Sequence, residues 1–175
     1  SLIPTSKTSI EVTFKLNGTD SGDAYVFGAG GTSYDSNAFE LYPWENKLQI
    51  NFNNEHCICD ATTEITTLKL HNKRYEFSGG NNESGSFTST TIPCETLYLF
   101  SLHRSGSQTS LSNKGLLMYS CKIWEGNKLI RDLVPVINRN SGKCGLYDCV
   151  FDKFYGNSGF NDDFKLFKEI CFILN

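Results

Sequence analysis

The chain has 175 residues, with 16 Lys and Arg against 19 Asp and Glu, a formal net charge of −3 and an isoelectric point near 5.6. A nucleic-acid-binding surface needs basic side chains that neutralise several phosphates, so this balance argues against a nucleic-acid partner. No apolar run approaches the roughly 20 residues of a membrane-spanning helix, and no membrane partner is expected. Asn, Ser, Thr and Gly total 63 residues, which is typical of a loop-rich β protein.

The predicted elements are short strands. Residues 9–16 alternate apolar and polar side chains, which predicts a half-buried antiparallel strand, and Asn17-Gly18 stops it. Similar runs follow, and nearly every gap between them carries Gly, Asn, Asp or Pro. The later predicted strands are 24–28, 38–42, 47–52, 64–71, 73–78, 86–90, 96–102, 116–124, 128–136, 145–148 and 153–155. About a dozen strands with turns roughly every 8–12 residues predict an all-β sandwich or barrel.

No linker or internal repeat divides the chain, so residues 1–161 are predicted to form one domain, followed by an apolar C-terminal extension at 162–175. Apolar side chains in this extension recur at helical spacing behind Asp162-Asp163, which suits a helix N-terminus. A closing strand is the alternative, and the sequence leaves both open. In either form the extension is expected to cover its own sandwich or a neighbouring chain.

The seven cysteines lie at positions 57, 59, 94, 121, 144, 149 and 171. Their spacing lacks the C-x2-C pairs of a zinc site. Most are expected to be reduced, small buried side chains. The leading exception is a disulfide between Cys144 and Cys149, which flank a short segment and could meet across a turn. An odd count favours a reducing assembly compartment over a secreted disulfide scaffold.

Catalytic chemistry has little support in the sequence. A glycoside hydrolase needs two carboxylates facing one groove, about 5–9 Å apart, and no predicted strand carries acids at the required alternate positions. The close pairs, Asp20 with Asp23 and Asp162 with Asp163, fit turns or caps. The three histidines fall in different segments, and no Ser lies in a G-x-S-x-G elbow. We therefore predict a non-enzymatic protein with no catalytic residues.

A binding surface is the remaining candidate site. Tyr34, Tyr42, Trp44 and Trp124 fall in or beside polar loops, where an aromatic ring can stack on a sugar. Segment 42–46 is the most suggestive, because Asn46 could hydrogen-bond sugar hydroxyls. In the alternative interpretation Trp44 closes a hairpin against the edge of the sandwich. Burial of more than half of Trp44 would count against a sugar role for this segment.

Residues 117–136 predict a hairpin with a three-residue turn at 125–127. Within it, Arg131-Asp132 resembles a catalytic pair at first glance. Neighbours on a strand face opposite ways, so each side chain is expected to pair across strands and not with the other. Asp148 is expected to close a turn and not to act as a base.

The same region carries a family resemblance. Its segments read LMYSCKIW at 117–124, LIRDLVPV at 129–136, GKCGLYD at 142–148 and KFYGN at 153–157. They resemble the C-terminal half of laminin-G-like, concanavalin A-like domains of phage structural proteins, tail proteins especially, and of some bacterial surface proteins. The strand at 10–16, Phe27-Gly28 and the segment 97–100 fit as well, so that residues 5–160 are covered. The chain departs from the pattern at Val136 and beyond Phe160.

The resemblance implies an all-β, concanavalin A-like jelly-roll sandwich of two antiparallel sheets. It implies a virion structural or adhesion module at the phage surface, with other virion subunits and host-surface glycans as partners. A bacterial surface glycan-binding module is the alternative, followed by a jelly-roll glycoside hydrolase or lyase. Laminin-G domains often hold calcium through an acidic loop, and Asp20 and Asp23 are weak calcium candidates here. No other cofactor is expected.

Overall fold

A computed structural model describes the chain at residues 2–18, 25–30, 38–89, 95–100, 102–104, 107–109, 116–156 and 172–174. Across these ranges every regular element is a strand. The strands are β1 (Thr8–Leu16), β2 (Phe27–Ala29), β3 (Ala38–Trp44), β4 (Lys47–Asn53), β5 (Glu55–Asp60), β6 (Thr66–His71), β7 (Arg74–Gly79), β8 (Ser84–Ser86), β9 (Tyr98–Leu99), β10 (Leu102–Arg104), β11 (Ser107–Thr109), β12 (Leu116–Glu125), β13 (Lys128–Asn138), β14 (Cys144–Asp148), β15 (Lys153–Gly156) and β16 (Phe172–Leu174).

Two sheets build the sandwich. The larger sheet has the order β15-β14-β13-β12-β1-β6-β7-β8, and all of these neighbours are antiparallel. The smaller sheet has the order β5-β4-β3-β2-β9 and is also antiparallel, while β10 and β11 form a separate hairpin. The predicted fold class, an all-β sandwich of two antiparallel sheets, is confirmed.

The core lies between the two sheets and follows the alternation of the sequence. The apolar residues of β1 are at most 1% exposed, and they meet β3 and β4 of the smaller sheet in one cluster. Phe27 and Phe39 pack with ring centroids 5.3 Å apart. Each fully buried side chain of this size contributes about 1.5–3 kcal/mol. Residues on either side of these positions must therefore face outward, which sets where polar groups can gather.

The hairpin of β12 and β13 confirms the predicted cross-strand pairing. Arg131 Nε lies 3.5 Å from Asp148 Oδ2, and Lys122 Nζ lies 3.5 Å from Asp132 Oδ2. Asp148 Oδ1 accepts hydrogen bonds from the backbone N–H groups of Asp132 and Val150, at 3.2 and 3.0 Å. Asp148 thus closes the turn after β14, as predicted. The hairpin turn itself holds only residues 126–127, one fewer than expected.

The predicted disulfide between Cys144 and Cys149 is wrong. Cys144 begins β14 opposite Ile137, whereas Cys149 follows the far end of that strand, five positions along the chain and about 16 Å away. A disulfide requires Cα atoms within about 7 Å. Within the described part of the chain, all five cysteines are free.

These thiols differ in how deeply they are buried. Cys59 and Cys121 are buried, as expected of small apolar side chains, and desolvation raises both thiol pKa values, that of Cys59 to about 12. Cys149 is exposed. Cys94 and Cys171 lie outside the described residues.

The C-terminal extension ends as a strand. β16 pairs with β13 in parallel, with Val136 opposite Phe172, so the strand alternative holds at 172–174. The helical alternative for 162–171 falls on residues outside the described ranges. In the described part of the chain, no helix is long and apolar enough to cross a bilayer.

Candidate functional site

A cluster of polar side chains occupies the outward face of the smaller sheet. Phe39 and Leu41 point into the core, so Glu40 between them points out, and the same alternation turns Gln49, Asn51 and Asn53 of β4 outward. The pairing places Glu40 opposite Asn51, and Asn51 opposite His56. We call this set, Glu40, Gln49, Asn51, Asn53 and His56, the amide face.

A ladder of hydrogen bonds orients the amide face. Gln49 Nε2 donates to Asn51 Oδ1 at 2.8 Å, and Asn51 Nδ2 donates to Glu40 Oε1 at 2.6 Å. Glu40 is 1% exposed and Asn51 is 3% exposed. A hydrogen bond in such a buried place is electrostatically stronger than the same bond in water. Gln49, Asn51 and Glu40 are therefore held in place by hydrogen bonds within the protein.

A depression of about 290 Å³ opens beside this ladder. Its lining consists of Gln49, Asn51, Asn53, Asn54, Glu55 and His56. Asn53 is only 8% exposed, and its Oδ1 accepts no hydrogen bond from any residue that the structure describes. A buried acceptor without a donor costs roughly 1–3 kcal/mol. This oxygen is therefore the strongest local indication of a missing hydrogen-bond donor.

The backbone explains why an asparagine stands there. Asn53 ends β4 and has φ 58°, because the chain reverses at Asn53-Asn54 to pair Phe52 with Glu55. Asn tolerates the left-handed region better than most residues do. The tight turn holds the Asn53 amide at the rim of the sheet, beside His56.

Glu55 lies at the border of the depression but has a structural role. Its carboxylate accepts hydrogen bonds from the Thr88 hydroxyl and backbone N–H and from the Ser89 N–H, at 2.5–3.1 Å. These donors, Ser89 and Thr88, lower the pKa of Glu55 to about 2. It stays ionised at neutral pH and ties segment 88–89 to the β4–β5 hairpin.

Two of the predicted sugar-binding residues lie on this sheet. Tyr42 faces Gln49 across β3 and β4, and its ring lies 5.1 Å from that of Tyr25. Trp44 ends β3 opposite Lys47. Both belong to a strand and not to a loop, because the turn contains only Glu45 and Asn46, with φ 47° and 63°.

The geometry at Trp44 is that of a residue closing a hairpin. Trp44 is 49% exposed, so its burial does not decide between the hairpin and the sugar interpretations, and the sugar-binding role of Tyr42, Trp44 and Asn46 stays a prediction. The backbone carbonyl of Asn46 accepts a hydrogen bond from the N–H of Ala61 at 3.0 Å, which fixes the turn.

The other predicted site residues are not gathered here. Trp124 pairs with Ser9 in the larger sheet, away from the amide face. Tyr34 and the weak calcium candidates Asp20 and Asp23 lie outside the described residues. Among the described residues, no three His, Cys, Asp or Glu side chains cluster as a metal site would require.

The carboxylates on this face do not form a hydrolytic pair. Glu40 is opposite Asn51, whereas Asp60 is opposite Lys47, which it contacts at 2.5 Å. Asn51 and Lys47 are four positions apart on β4, which is about 13 Å along the strand. Paired glycosidase carboxylates stand roughly 5–9.5 Å apart. Among the described residues, Glu40 and Asp60 are therefore not spaced as a glycosidase pair.

The sequence reasoning missed this cluster. The alternation of residues 49–53 was visible, with Gln49, Asn51 and Asn53 interleaved with apolar residues, but it indicated only a solvated strand face. The signal that could have found the cluster is the series of three amide side chains, Gln49, Asn51 and Asn53, at alternate positions of one strand.

No family model matches the chain, and no curated protein matches it. The fold assignment therefore rests on the structure itself, and the laminin-G resemblance stays a prediction.

Proposed function

We propose that this protein is a non-enzymatic recognition module that binds neutral carbohydrate on the amide face. The observation that carries the proposal is the buried Asn53 Oδ1, which meets no donor among the described residues at a depression of about 290 Å³. A sugar hydroxyl would donate to it. Small-ligand sites are concave and carry a few fixed polar groups, and this depression is near the lower end of their size range.

The chemistry of the face supports an uncharged ligand with many hydroxyls. Gln49, Asn51 and Asn53 each carry one acceptor and two N–H donors, which matches hydroxyl groups that both donate and accept. His56 adds a ring nitrogen, and Tyr42 places an aromatic ring beside Gln49. The ordered Gln49–Asn51–Glu40 ladder reduces the entropy lost on binding.

The biological setting that we propose is the surface of a phage particle. The support for it is the resemblance of residues 117–157 to laminin-G-like domains of phage tail proteins. In this setting the domain is an adhesion or decoration module whose partners are other virion subunits and host-surface glycans. A bacterial surface glycan-binding module has the same site chemistry. The jelly-roll connectivity stays a prediction of the same resemblance.

A glycan array followed by calorimetry tests the proposal. A glycan selected on the array should bind Asn53→Gly at least about tenfold more weakly, a loss of roughly 1.4 kcal/mol. Glycine accepts the positive φ of position 53, so the fold is kept. Asn72→Gly is the matched control, because Asn72 also has a positive φ but lies in the β6–β7 turn of the other sheet.

The possible results separate the two roles. Selective binding that N53G weakens and N72G leaves unchanged supports recognition at the amide face. No glycan signal, together with stable self-association in light scattering, would favour a purely structural subunit. Equal affinity of N53G and the wild-type protein would place the glycan elsewhere.

A further inference from the structure

Apolar side chains continue the amide face along the outer surface of the smaller sheet. Tyr42 lies opposite Gln49, and Gln49 lies opposite Ile58. Trp44 follows two positions after Tyr42 on β3 and points the same way. We call Tyr42, Trp44 and Ile58 the apolar strip. Trp44 is 49% exposed and Ile58 is 53% exposed, and exposed apolar side chains that lie together mark an interaction site.

The apolar strip and the depression of the amide face are continuous. Gln49 lines the depression and also stands between Tyr42 and Ile58. Strand β4 runs from Asn53 at the depression to Lys47 opposite Trp44, which is six positions or about 20 Å. This path is longer than one sugar ring. A sugar held at the depression therefore reaches the apolar strip only as the end of a chain.

The face becomes more open along this path. On β4 the side chains of Asn51 and Asn53 are buried, Gln49 is half-buried and Lys47 is exposed. Beside Lys47, Trp44 and Asp60 are exposed as well. A chain that starts at the depression can therefore continue over an open surface, with no described side chain to be displaced from the core.

The charges along the path favour a neutral chain. Lys47 Nζ lies 2.5 Å from Asp60 Oδ1, so the two charges beside Trp44 cancel. Among the described residues, no Lys or Arg lines the depression, and the carboxylate of Glu55 does. An acidic polysaccharide is recognised by Arg or Lys in excess over carboxylates, and the path from the depression to Trp44 offers no such excess.

The two ends of the path offer complementary chemistry to a sugar chain. Amide groups at the depression match hydroxyls that both donate and accept hydrogen bonds. Trp44 offers a rigid aromatic ring, on which the apolar C–H face of a sugar can stack at a small cost in side-chain entropy. Tyr42 is held by the ring of Tyr25, with centroids 5.1 Å apart. Hydroxyls and C–H faces alternate around every pyranose, so one chain can use both ends.

We propose that the ligand of the amide face is a linear, neutral oligosaccharide. Its terminal sugar occupies the depression, and the following sugars lie along β4 against the apolar strip. This inference rests on the proposed function. It adds the length and the direction of the ligand, and it makes Trp44 the residue that determines selectivity for long chains over short ones.

Calorimetry with sugar chains of increasing length tests the inference. The probes are cello-, malto-, laminari- and chito-oligosaccharides of one to six units, titrated at neutral pH up to high millimolar concentration. In at least one series the hexasaccharide should bind at least about tenfold more tightly than the monosaccharide, because it adds contacts with the apolar strip. Trp44→Ala should remove most of this gain and leave the affinity for the monosaccharide unchanged.

Two further variants separate the apolar strip from other exposed side chains. Ile58→Ser, on the edge strand β5, should weaken hexasaccharide binding by about 2- to 10-fold and leave the monosaccharide unaffected. Phe151→Ala is the matched control, because Phe151 is 57% exposed but lies between β14 and β15 in the larger sheet. It should change no affinity. Circular dichroism verifies that each variant is folded, and I58S decides if W44A is not.

The results distinguish this inference from the proposed function. If the monosaccharide and the hexasaccharide bind equally well and N53G weakens both, the amide face binds sugar but the extended ligand is wrong. The inference is also overturned if folded W44A and I58S keep the full gain with chain length. Absence of binding in all four series would overturn it together with the binding of neutral sugar at the amide face.

Discussion

Asn51 donates a hydrogen bond of 2.6 Å to Glu40, and both side chains are buried although they point away from the core of the sandwich. Outward positions of a sheet are usually solvated. Here the carboxyl group of Glu40 is hydrogen-bonded to the Asn51 amide in place of water. Gln49 in turn donates to Asn51, so the position of Asn51 also orients Gln49. Stability and the proposed ligand recognition therefore depend on the same hydrogen bond.

Replacing Asn51 should cost stability as well as binding. Asn51→Ala removes the donor to a buried carboxylate, and we expect a loss of about 1–3 kcal/mol in the free energy of unfolding, measured by urea denaturation. Gln49→Ala is the control, because Gln49 is only half-buried and should change stability by less than about 1 kcal/mol. Equal losses in the free energy of unfolding for the two variants would show that the bond to Glu40 does not stabilise the fold more than the Gln49 side chain does.

Asp148 should be the most sensitive charged residue of the β12–β14 region. It is completely buried, closes a turn through two backbone N–H groups and faces Arg131. Asp148→Ala should destabilise the fold by roughly 3 kcal/mol, since it leaves a partly buried guanidinium without its partner. Urea denaturation measures the loss.

The pair of Lys122 and Asp132 is the matched comparison for Asp148. Both of its side chains are more exposed than Asp148, so Lys122→Ala should cost less than about 1 kcal/mol. A loss at position 148 no larger than at 122 would contradict the structural role of Asp148.

The stability of the fold should fall in acid partly through Glu55. Its folded-state pKa is about 2, below the ordinary value of 4.5, because Ser89 and Thr88 donate hydrogen bonds to the ionised carboxylate. A depressed pKa contributes stability that is present above the unfolded value and is lost as pH falls through the folded one. The stability advantage of the wild type over Glu55→Gln should therefore shrink between pH 5 and 2.

Thermal unfolding of the wild type and E55Q across that pH range measures the effect of Glu55. A constant difference in Tm would contradict the assignment. Glu76→Gln on β7 is a suitable control, because its side chain is exposed and its difference from the wild type should not follow this pH window.

Thiol reactivity should follow burial. Among the described cysteines, desolvation raises the thiol pKa of Cys59, of Cys121 and also of Cys149, but Cys149 is exposed whereas the other two are buried. Iodoacetamide at neutral pH should label Cys149 first, and Cys59 and Cys121 only in denaturant, as mapped by peptide mass spectrometry. Rapid labelling of Cys121 in the folded protein would contradict its place in the core.

The strands that the sequence predicted best are those with apolar side chains toward the core. In β1 and in the hairpin of β12 and β13, period-two alternation and turn residues agree, and the observed bounds lie within a few residues of those expected. The pairing of Arg131 and Asp132 across strands followed from alternation alone. The bounds of a strand and the direction of its side chains are both set by the local sequence.

Strand β5 was not predicted from the sequence, because its most apolar side chain faces solvent. Cys57 and Cys59 point toward the core, while Ile58, on the outward side, is 53% exposed. A prediction from apolar periodicity assigns Ile58 to the core side of such a strand, or finds no strand at all. The disulfide prediction was wrong because Cys144 and Cys149 are close in sequence, but the extended strand β14 holds them apart.

The amide face could not be predicted from one sequence. Its residues lie on β3, β4 and β5, and the burial of Glu40 and Asn51 arises only when these strands are paired. In the sequence Asn53 resembles any turn residue; only the structure shows that its Oδ1 meets no donor among the described residues and that a depression lies beside it.

The amide face lies on the outer surface of the smaller sheet, so the outer surface of the larger sheet points the opposite way. A glycan bound as proposed would therefore approach from the side opposite to the β12–β13 hairpin. A protein attached to a support through its larger sheet should keep the amide face accessible.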